Sequence, residues 1–424
     1  MRTLLAWLRP PGDLRLPLLY LALGVYGLTV LWSVTEGIRG PYEVFDPGVA
    51  KSVFWRQVIW LGLGWTTLSL AARVPLRHLE ALTSVFYLGA LAALVLVLAA
   101  GPLVAGARRW FDFGPIRLQP AEMAKVCLVL VLARLFARRL PERGQLRPVA
   151  ASFGLTAALF LLVLKEPDLG TALAFPAIWL LMLFWYGTSW TFLLAVVSPA
   201  LSAVISFYSE TVAQRAWPWG LYLFLFMGIL YLARFRLGAG VLLLLGNIAT
   251  GLGIPLLWKL LHGYQQERIL TFFDPARDTQ GAGYQVFQSK VAIGSGGLFG
   301  AGYLHGTQKG LAFLPERHTD FIFAVVGEEL GLLGASVLLG LFLALILRGL
   351  SVAEGARRPF ASFVAIGAVA YLCFHVVVNI SITCGLLPVT GVPLPLLSYG
   401  GSNLLTTSFL VGLLINVGAH DYEA

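Results

Sequence analysis

Along most of this chain apolar residues come in long unbroken blocks, not in helical or strand alternation. Leu18–Val34, Leu82–Ala100, Ala150–Leu164, Thr171–Trp185 and Phe321–Leu347 approach or exceed the roughly 20 residues that carry a helix across a bilayer. They are far too long for barrel strands and do not alternate, so the pattern predicts spanning helices. Twelve spans are predicted: 17–35, 55–72, 81–100, 120–138, 149–165, 170–187, 190–208, 219–234, 237–258, 321–348, 361–383 and 399–418. Pro199, Arg215 and Pro218 break the stretch from 190 to 258, which divides least sharply. The segment Lys259–Asp320 departs from this pattern: it is polar and glycine-rich, and long for a structureless connection. Within it Tyr284–Ile293 predicts a short amphipathic helix and Gly294–Gly302 a glycine-dense turn. Neither a soluble domain nor an internal repeat is evident.

Composition agrees with a lipid environment. Of 424 residues, 58% are hydrophobic and 12% charged, about half the charged share of a soluble domain. The net charge of +9 raises the question of nucleic acid, but its placement answers it. Arg73 and Arg77, the run Arg134, Arg138, Arg139, Arg143 and Arg147, the pair Arg234 and Arg236, and Arg348 with Arg357 and Arg358 all fall on one side of the predicted topology. That is the positive-inside pattern: both termini cytoplasmic, Lys259–Asp320 outside. No basic stripe interleaved with aromatics suggests a nucleic-acid surface. The first span follows Arg2, Arg9 and Arg15, yet it is longer than a signal-peptide core and lacks a cleavage site, so it reads as an uncleaved helix. Cys127, Cys373 and Cys384 lie in or beside apolar segments without metal-ligand spacing and read as small buried side chains.

Ionisable residues near bilayer depth are costly and therefore informative. Arg108-Arg109-Trp110 precedes Gln119-Pro120-Ala121-Glu122-Met123-Ala124-Lys125. Pro120 suits the first turn of a helix, which puts Glu122 and Lys125 on one face. With Arg109 they can line an anionic-ligand site, or Glu122 and Lys125 can form a self-neutralising pair. Lys165-Glu166-Pro167-Asp168-Leu169-Gly170-Thr171 interrupts an apolar run. It can line a cavity, or Asp168 can simply cap the next helix. Asp320 stands where the polar segment becomes an apolar helix, with Glu328 two turns on. A carboxylate at such a boundary can act as a base, or Thr319 or Asp320 can be a helix cap. The glycines from 294 to 302 follow no strand, so a dinucleotide fold is not indicated. His305 and His318 are too isolated to indicate zinc, and the sequon Asn379-Ile380-Ser381 lies inside a predicted helix.

Three long motifs carry a resemblance: Gly281-Ala282-Gly283-Tyr284-Gln285-Val286-Phe287-Gln288-Ser289-Lys290, the run from Leu304 through Glu316-Arg317-His318-Thr319-Asp320-Phe321, and Val392-Pro393-Leu394-Pro395-Leu396-Leu397-Ser398-Tyr399-Gly400-Gly401-Ser402. With Arg109-Trp110, Gln119-Pro120, Glu122, Lys125 and Pro167-Asp168-Leu169-Gly170-Thr171, they make the chain resemble the SEDS family (shape, elongation, division, sporulation) over nearly its whole length. Glu316-Arg317-His318 and Val392-Pro393-Leu394-Pro395 resemble the elongation-type, RodA-like branch more than the division-type, FtsW-like one.

The resemblance implies an all-α polytopic membrane bundle, one SEDS domain over 1–424 with a large extracytoplasmic loop at 259–320, in the bacterial cytoplasmic membrane. It implies a peptidoglycan glycosyltransferase for cell elongation and rod shape. The substrate would be lipid II (undecaprenyl-pyrophosphate disaccharide pentapeptide), polymerised at the outer face into β-1,4 glycan strands. The partner would be a class B penicillin-binding protein, the crosslinking transpeptidase. Asp320 would be the base of an inverting transfer. Arg109 and Lys125, with Arg317, would meet the pyrophosphate, and Glu122 would hold Lys125. Asp168, Gln288, Ser289, Lys290, His318 and Ser398 are the further substrate-side candidates by motif. No metal cage is evident, although a divalent cation (Mg2+ or Mn2+) can assist such a transfer. Family members generally have ten membrane helices, so about 190–235 holds an extra helical pair. A lipid II flippase or other transporter is a competing class, but paired broken helices and repeats are missing. A non-catalytic scaffold would not need Asp320, Arg109 and Lys125 at costly positions.

Overall fold

The computed structural model describes residues 13–36, 47–103, 107–112, 114, 117–138, 146–211, 213–234, 237–260, 263–274, 281–307 and 317–420. Arg2, Arg9, Arg139, Arg143, Arg236 and Glu316 lie outside the described residues. The helices are α1 (Arg15–Glu36), α2 (Pro47–Ala71), α3 (Leu76–Ala100), α4 (Pro120–Ala137), α5 (Leu146–Lys165), α6 (Leu169–Trp185), α7 (Trp190–Thr211), α8 (Trp217–Leu232), α9 (Leu237–Leu260), α10 (Gly263–Phe273), α11 (Ala282–Gly296), α12 (Ile322–Gly355), α13 (Pro359–Thr383) and α14 (Gly401–His420). Each of the twelve predicted spans coincides with a helix. Among the described residues eight helices are long and apolar enough to cross a membrane, and α6 and α8 are shorter apolar ones. α4 is 18 residues long and carries Glu122, Lys125 and Arg134. Between α3 and α4 a hairpin of β1 (Phe111–Asp112) and β2 (Arg117–Leu118) pairs antiparallel.

The described parts of the polar segment Lys259–Asp320 contain more helix than its composition suggests. α9 runs to Leu260, α10 follows, and the amphipathic helix read at 284–293 extends over Ala282–Gly296. The glycine-dense stretch after it is a turn, with positive φ at Gly297, Gly300 and Gly302.

Contacts divide the chain into two units, Met1–Trp185 with Asp278–Ala424, and Tyr186–Arg277. In the first, α13 packs on α4, α6, α11, α12 and α14. Its side chains are buried along most of its length, as expected of a helix apolar on every face. Helix starts follow local chemistry. Pro120 and Pro359 open α4 and α13 in the first turn, where a missing N–H costs nothing. The carboxylate of Asp168 accepts the Thr171 amide at 3.1 Å and caps α6.

α12 is interrupted at Gly331, whose φ of 63° and ψ of −162° leave the helical region. The 297–302 turn supplies the displaced backbone bonds. Ala301 and Gly302 donate to the Glu328 and Glu329 carbonyls at 2.8 and 3.2 Å, and Leu332 and Leu333 donate to the Gly297 and Leu298 carbonyls at 2.9 and 3.1 Å. Such a break is sustainable at membrane depth because protein groups satisfy it.

The second unit packs α7 against α8 and α9. A polar seam joins them. Asn247 donates to Ser198 Oγ at 2.8 Å and accepts from the Tyr222 hydroxyl at 2.8 Å. Ser202 donates to the Asn247 carbonyl at 2.8 Å and Ser206 to the Gly251 carbonyl at 3.0 Å. Small and hydroxylic residues let the backbones approach, which is how helices associate where water gives no hydrophobic drive.

The seat of α11 on α12 depends on Gly296: a Cβ there would overlap the Gly327 carbonyl. Gly296→Ala is expected to destabilise the purified protein by about 1–3 kcal/mol, the usual cost of overpacking. Thermal unfolding in detergent beside an Ala substitution at Gly294, where a Cβ meets open space, measures this.

Candidate active site

Asp320 lies in the short turn that enters α12, and the residue is partly exposed. Beneath it Phe321, Ala324, Ala292, Ile382, Val389 and Val392 form a buried apolar cluster. The Asp320 backbone is tied down: its carbonyl accepts Asn379 Nδ2 at 2.9 Å, and the same amide donates to the Val392 carbonyl at 2.8 Å. A Cβ on Gly391 would lie 3.5 Å from Asp320 Oδ2, so the 390–398 segment runs beside the carboxylate. Ser398 fastens that segment to the turn. Its hydroxyl donates to the Thr319 carbonyl at 2.5 Å and accepts the Leu394 amide at 2.8 Å. Tyr399 N donates to the His318 carbonyl at 2.8 Å, and the two rings stand 6.2 Å apart.

Glu122 and Lys125 form the same-face pair that their spacing predicts, but in the interior. Lys125 is 0% and Glu122 3% exposed. Lys125 Nζ lies 2.7 Å from Glu122 Oε1 and 3.0 Å from His375 Nε2, and sits over the Tyr371 ring at 5.1 Å. Asn403 Nδ2 donates to the Tyr371 hydroxyl at 2.9 Å and reaches Glu122 Oε2 at 3.4 Å. A charge enclosed this way has exchanged its water for protein partners, and in this arrangement it has no open face for pyrophosphate. The direct ligand contact expected of Lys125 would require these partners to part.

Arg109 is half-buried and turned to the backbone of the interrupted segment. Its Nε donates to the Glu166 carbonyl at 2.9 Å and its Nη2 to the Pro167 carbonyl. The described partners of Arg109 and Lys125 therefore differ, although the sequence suggested one cationic site. Asp168 serves as a cap and accepts Gln119 Nε2 at 2.9 Å. Gln119 N in turn donates to Ser402 Oγ at 3.2 Å, which ties the segment to α14.

Of the remaining candidates, Arg317 is buried and His318 partly exposed, both in the Asp320 turn. Gln288 is partly exposed and Lys290 exposed on α11. Ser289 is buried and donates to the Thr383 carbonyl at 2.7 Å. Among the described residues no group of three or more His, Cys, Asp or Glu side chains is arranged to hold a metal ion.

Three residues of this neighbourhood have no role assigned by the sequence: His375, Asn379 and Glu166. His375 and Asn379 lie four apart on an otherwise apolar helix, the spacing of one face, and polar residues inside a span are themselves a signal. Glu166 lies within a recognised motif but drew no role. It is 0% exposed, and neither carboxylate oxygen has a hydrogen-bond partner among the described residues.

The sequence model of the FtsW/RodA/SpoVE family, described as "Cell cycle protein", matches residues 14–217 and 218–423. The chain is 36% identical over 419 residues to the peptidoglycan glycosyltransferase MrdB of Escherichia coli K12, covering 98% of this chain and 95% of that one. Among solved structures it superposes on a chain of a peptidoglycan synthase complex that coordinates polymerisation and crosslinking, with TM-score 0.66 and 31% identity over 97% of this chain and 99% of the other. It also superposes on the rod shape determining protein RodA of Thermus thermophilus, with TM-score 0.62 and 28% identity over 97% and 98%. The chain belongs to the FtsW/RodA/SpoVE family. Within it the chain is a membrane-inserted peptidoglycan glycosyltransferase, of the class to which MrdB belongs.

Glu166 gives this region a pH signature. Burial pushes its carboxyl up to about 8, the Asp168 charge adds to the rise, and Arg109 opposes it. Its folded value therefore lies above the ordinary 4.5. The folded protein holds this proton where the unfolded chain has lost it, so stability is full below the ordinary value and falls as pH rises towards 8. Glu166→Gln is expected to flatten the loss of thermal stability between about pH 5 and about pH 8. Melting curves across that range measure it, and an unchanged slope would show that another group is responsible.

Proposed function

We propose that this glycosyltransferase polymerises lipid II into β-1,4 glycan strands for cell elongation, with Asp320 as the general base. One observation carries the assignment. Among the described carboxylates of the helices packed around this turn, Glu122, Glu166, Asp168, Glu328 and Glu329 are buried, whereas Asp320 is partly open and its backbone is held by Asn379. The acceptor sugar's 4-hydroxyl attacks the donor's anomeric carbon as Asp320 takes its proton. The bond from that carbon to the pyrophosphate oxygen breaks, and undecaprenyl pyrophosphate leaves. The donor is α-linked and the product β-linked, so one displacement suffices and no covalent enzyme intermediate is needed.

Arg109 is the candidate cation for the leaving pyrophosphate, with Arg317 and Lys290 near the turn and on α11. Glu122, Lys125, Asp168, Ser289 and Ser398 contribute by holding helices and segments in place. The solved complex that pairs polymerisation with crosslinking supports a class B penicillin-binding protein as partner. The basic clusters support cytoplasmic termini in the bacterial inner membrane, with the Asp320 end outside.

Asp320→Asn is expected to fold and insert normally and to polymerise lipid II about 10²–10⁴-fold more slowly, the usual contribution of a general base. Initial rates on purified protein, with and without the transpeptidase partner, test this. Parent-like rates in a folded variant would remove Asp320 from the reaction. For orientation, the three native cysteines are replaced and single cysteines placed at His305 and Glu354, both exposed. The first is expected to react with an impermeant reagent in intact cells and the second only after permeabilisation. The reverse pattern would invert the topology.

A further inference from the structure

We infer that His375 is a positioning residue for the transfer, and that the Glu122–Lys125 pair acts on the reaction through it. The inference deepens the reading of Asp320 as base and rests on it.

His375 is 2% exposed, in the middle of a spanning helix. A polar ring there is costly unless both its nitrogens are used. Its Nε2 lies 3.0 Å from Lys125 Nζ and its Nδ1 3.1 Å from the Pro393 carbonyl. An ammonium can only donate and a carbonyl can only accept. Those two neighbours together fix one form of the ring: neutral, with the proton on Nδ1 and the lone pair on Nε2. A chain of polar contacts then runs from the Glu122 carboxylate through the Lys125 ammonium and the His375 ring to the backbone at Pro393.

One helical turn further, Asn379 holds the adjacent carbonyl. It donates to Val392 O at 2.8 Å and to Asp320 O at 2.9 Å. Two residues four apart on α13 thus grip consecutive carbonyls of one extended segment, and the second also grips the base's own backbone. The segment needs such a grip because Pro393 and Pro395 have no amide hydrogen to offer. Its neighbour Gly391 lies against the Asp320 carboxylate. Without the Lys125 ammonium, the ring is no longer held in the form that donates to Pro393. A lone pair turned towards that carbonyl would push the segment away from α13 and change the surroundings of Asp320. Lys125 therefore reaches the reaction through the orientation of a histidine, without touching substrate.

His375→Phe keeps the ring volume and removes both bonds. His375→Gln keeps one acceptor and one donor on a planar group. Full-length purified variants are compared for thermal stability and for lipid II polymerisation across substrate concentration. His375→Phe is expected to lower kcat about 10–100-fold, the scale of a misplacement near the reacting atoms, with a much smaller change in KM. His375→Gln is expected to recover most of that loss. Adding Lys125→Met to His375→Phe is expected to lower stability further, since Glu122 loses its partner, but to lower the kcat of the folded protein little more than His375→Phe alone.

Parent-like turnover in folded His375→Phe, no rescue by Gln, or losses that multiply in the double variant would each overturn the inference. Multiplying losses would restore a direct substrate role for Lys125. A measurement on the parent protein stands if the Phe variant does not fold. In ¹⁵N-histidine spectra, assigned by the signal missing from His375→Gln, His375 is expected as the neutral Nδ1–H form. A doubly protonated or Nε2–H ring would overturn the inference. Activity in Asp320→Asn would instead defeat the base assignment while leaving the tautomer and the rescue series as they are.

Discussion

A lysine with no exposed surface is the constraint around which this end of the bundle is arranged. Bringing an ammonium and a carboxylate out of water costs several kcal/mol per ion, and their attraction offsets that only with good geometry and further hydrogen bonds. Lys125 has Glu122, His375 and the Tyr371 ring about it, and Glu122 is reached also by Asn403. These partners come from α4, α13 and α14, so the charge can be solvated by protein only when the three helices are in register. Removing one partner of such a pair typically costs about 3–5 kcal/mol, because the other charge stays buried. The pair is thus a condition on assembly whether or not it adds net stability.

The segment from 390 to 398 turns that register into the shape of the site. It is held from one side by His375 and Asn379, and by close approaches from others. A Cβ on Gly170 would overlap the Thr390 carbonyl, and one on Gly27 would lie 2.5 Å from the Leu396 carbonyl. α1, α6 and α13 therefore meet the same short stretch of backbone. The lack of amide hydrogens at Pro393 and Pro395 leaves it dependent on these neighbours. Carbonyl contacts set the position of this segment beside the Asp320 carboxylate without bringing a charge to it.

The fold was legible because a spanning helix writes itself into composition: block length, proline breaks and arginine placement locate the twelve helices, including the three between 190 and 260. In the polar stretch from 259 to 320, α11 and the glycine turn were legible, but α10 was not, since periodicity over so few turns is weak. For the site, motifs pointed to a neighbourhood but not to what each side chain contacts there. Glu122 and Lys125 were paired correctly from spacing, yet nothing in a single sequence says whether a pair at a helix start faces a cleft or the interior. Asp168 fitted both a cavity wall and a cap, and the bond to the Thr171 amide favours the cap. His375 and Asn379 were passed over because each is an isolated polar residue in an apolar run. Their meaning depends on a backbone segment that follows them in the chain and folds back.

The interruption of α12 shows why that separation of tasks is stable. Asp320 lies before the start of this helix and Glu328 and Glu329 lie just before its break at Gly331. Glu329 accepts the Ser33 hydroxyl at 2.5 Å, and Glu328 accepts the Thr307 hydroxyl at 3.1 Å. With the 297–302 turn bonded across the break, the first part of α12 is anchored at its far end by side chains and backbone together. At its near end Asn379 and Ser398 anchor the turn through carbonyls alone. A short helical piece fixed at both ends cannot tilt without breaking several buried bonds, and each buried polar group left unpaired costs about 1–3 kcal/mol. The backbone that bears Asp320 is thereby carried on a rigid support.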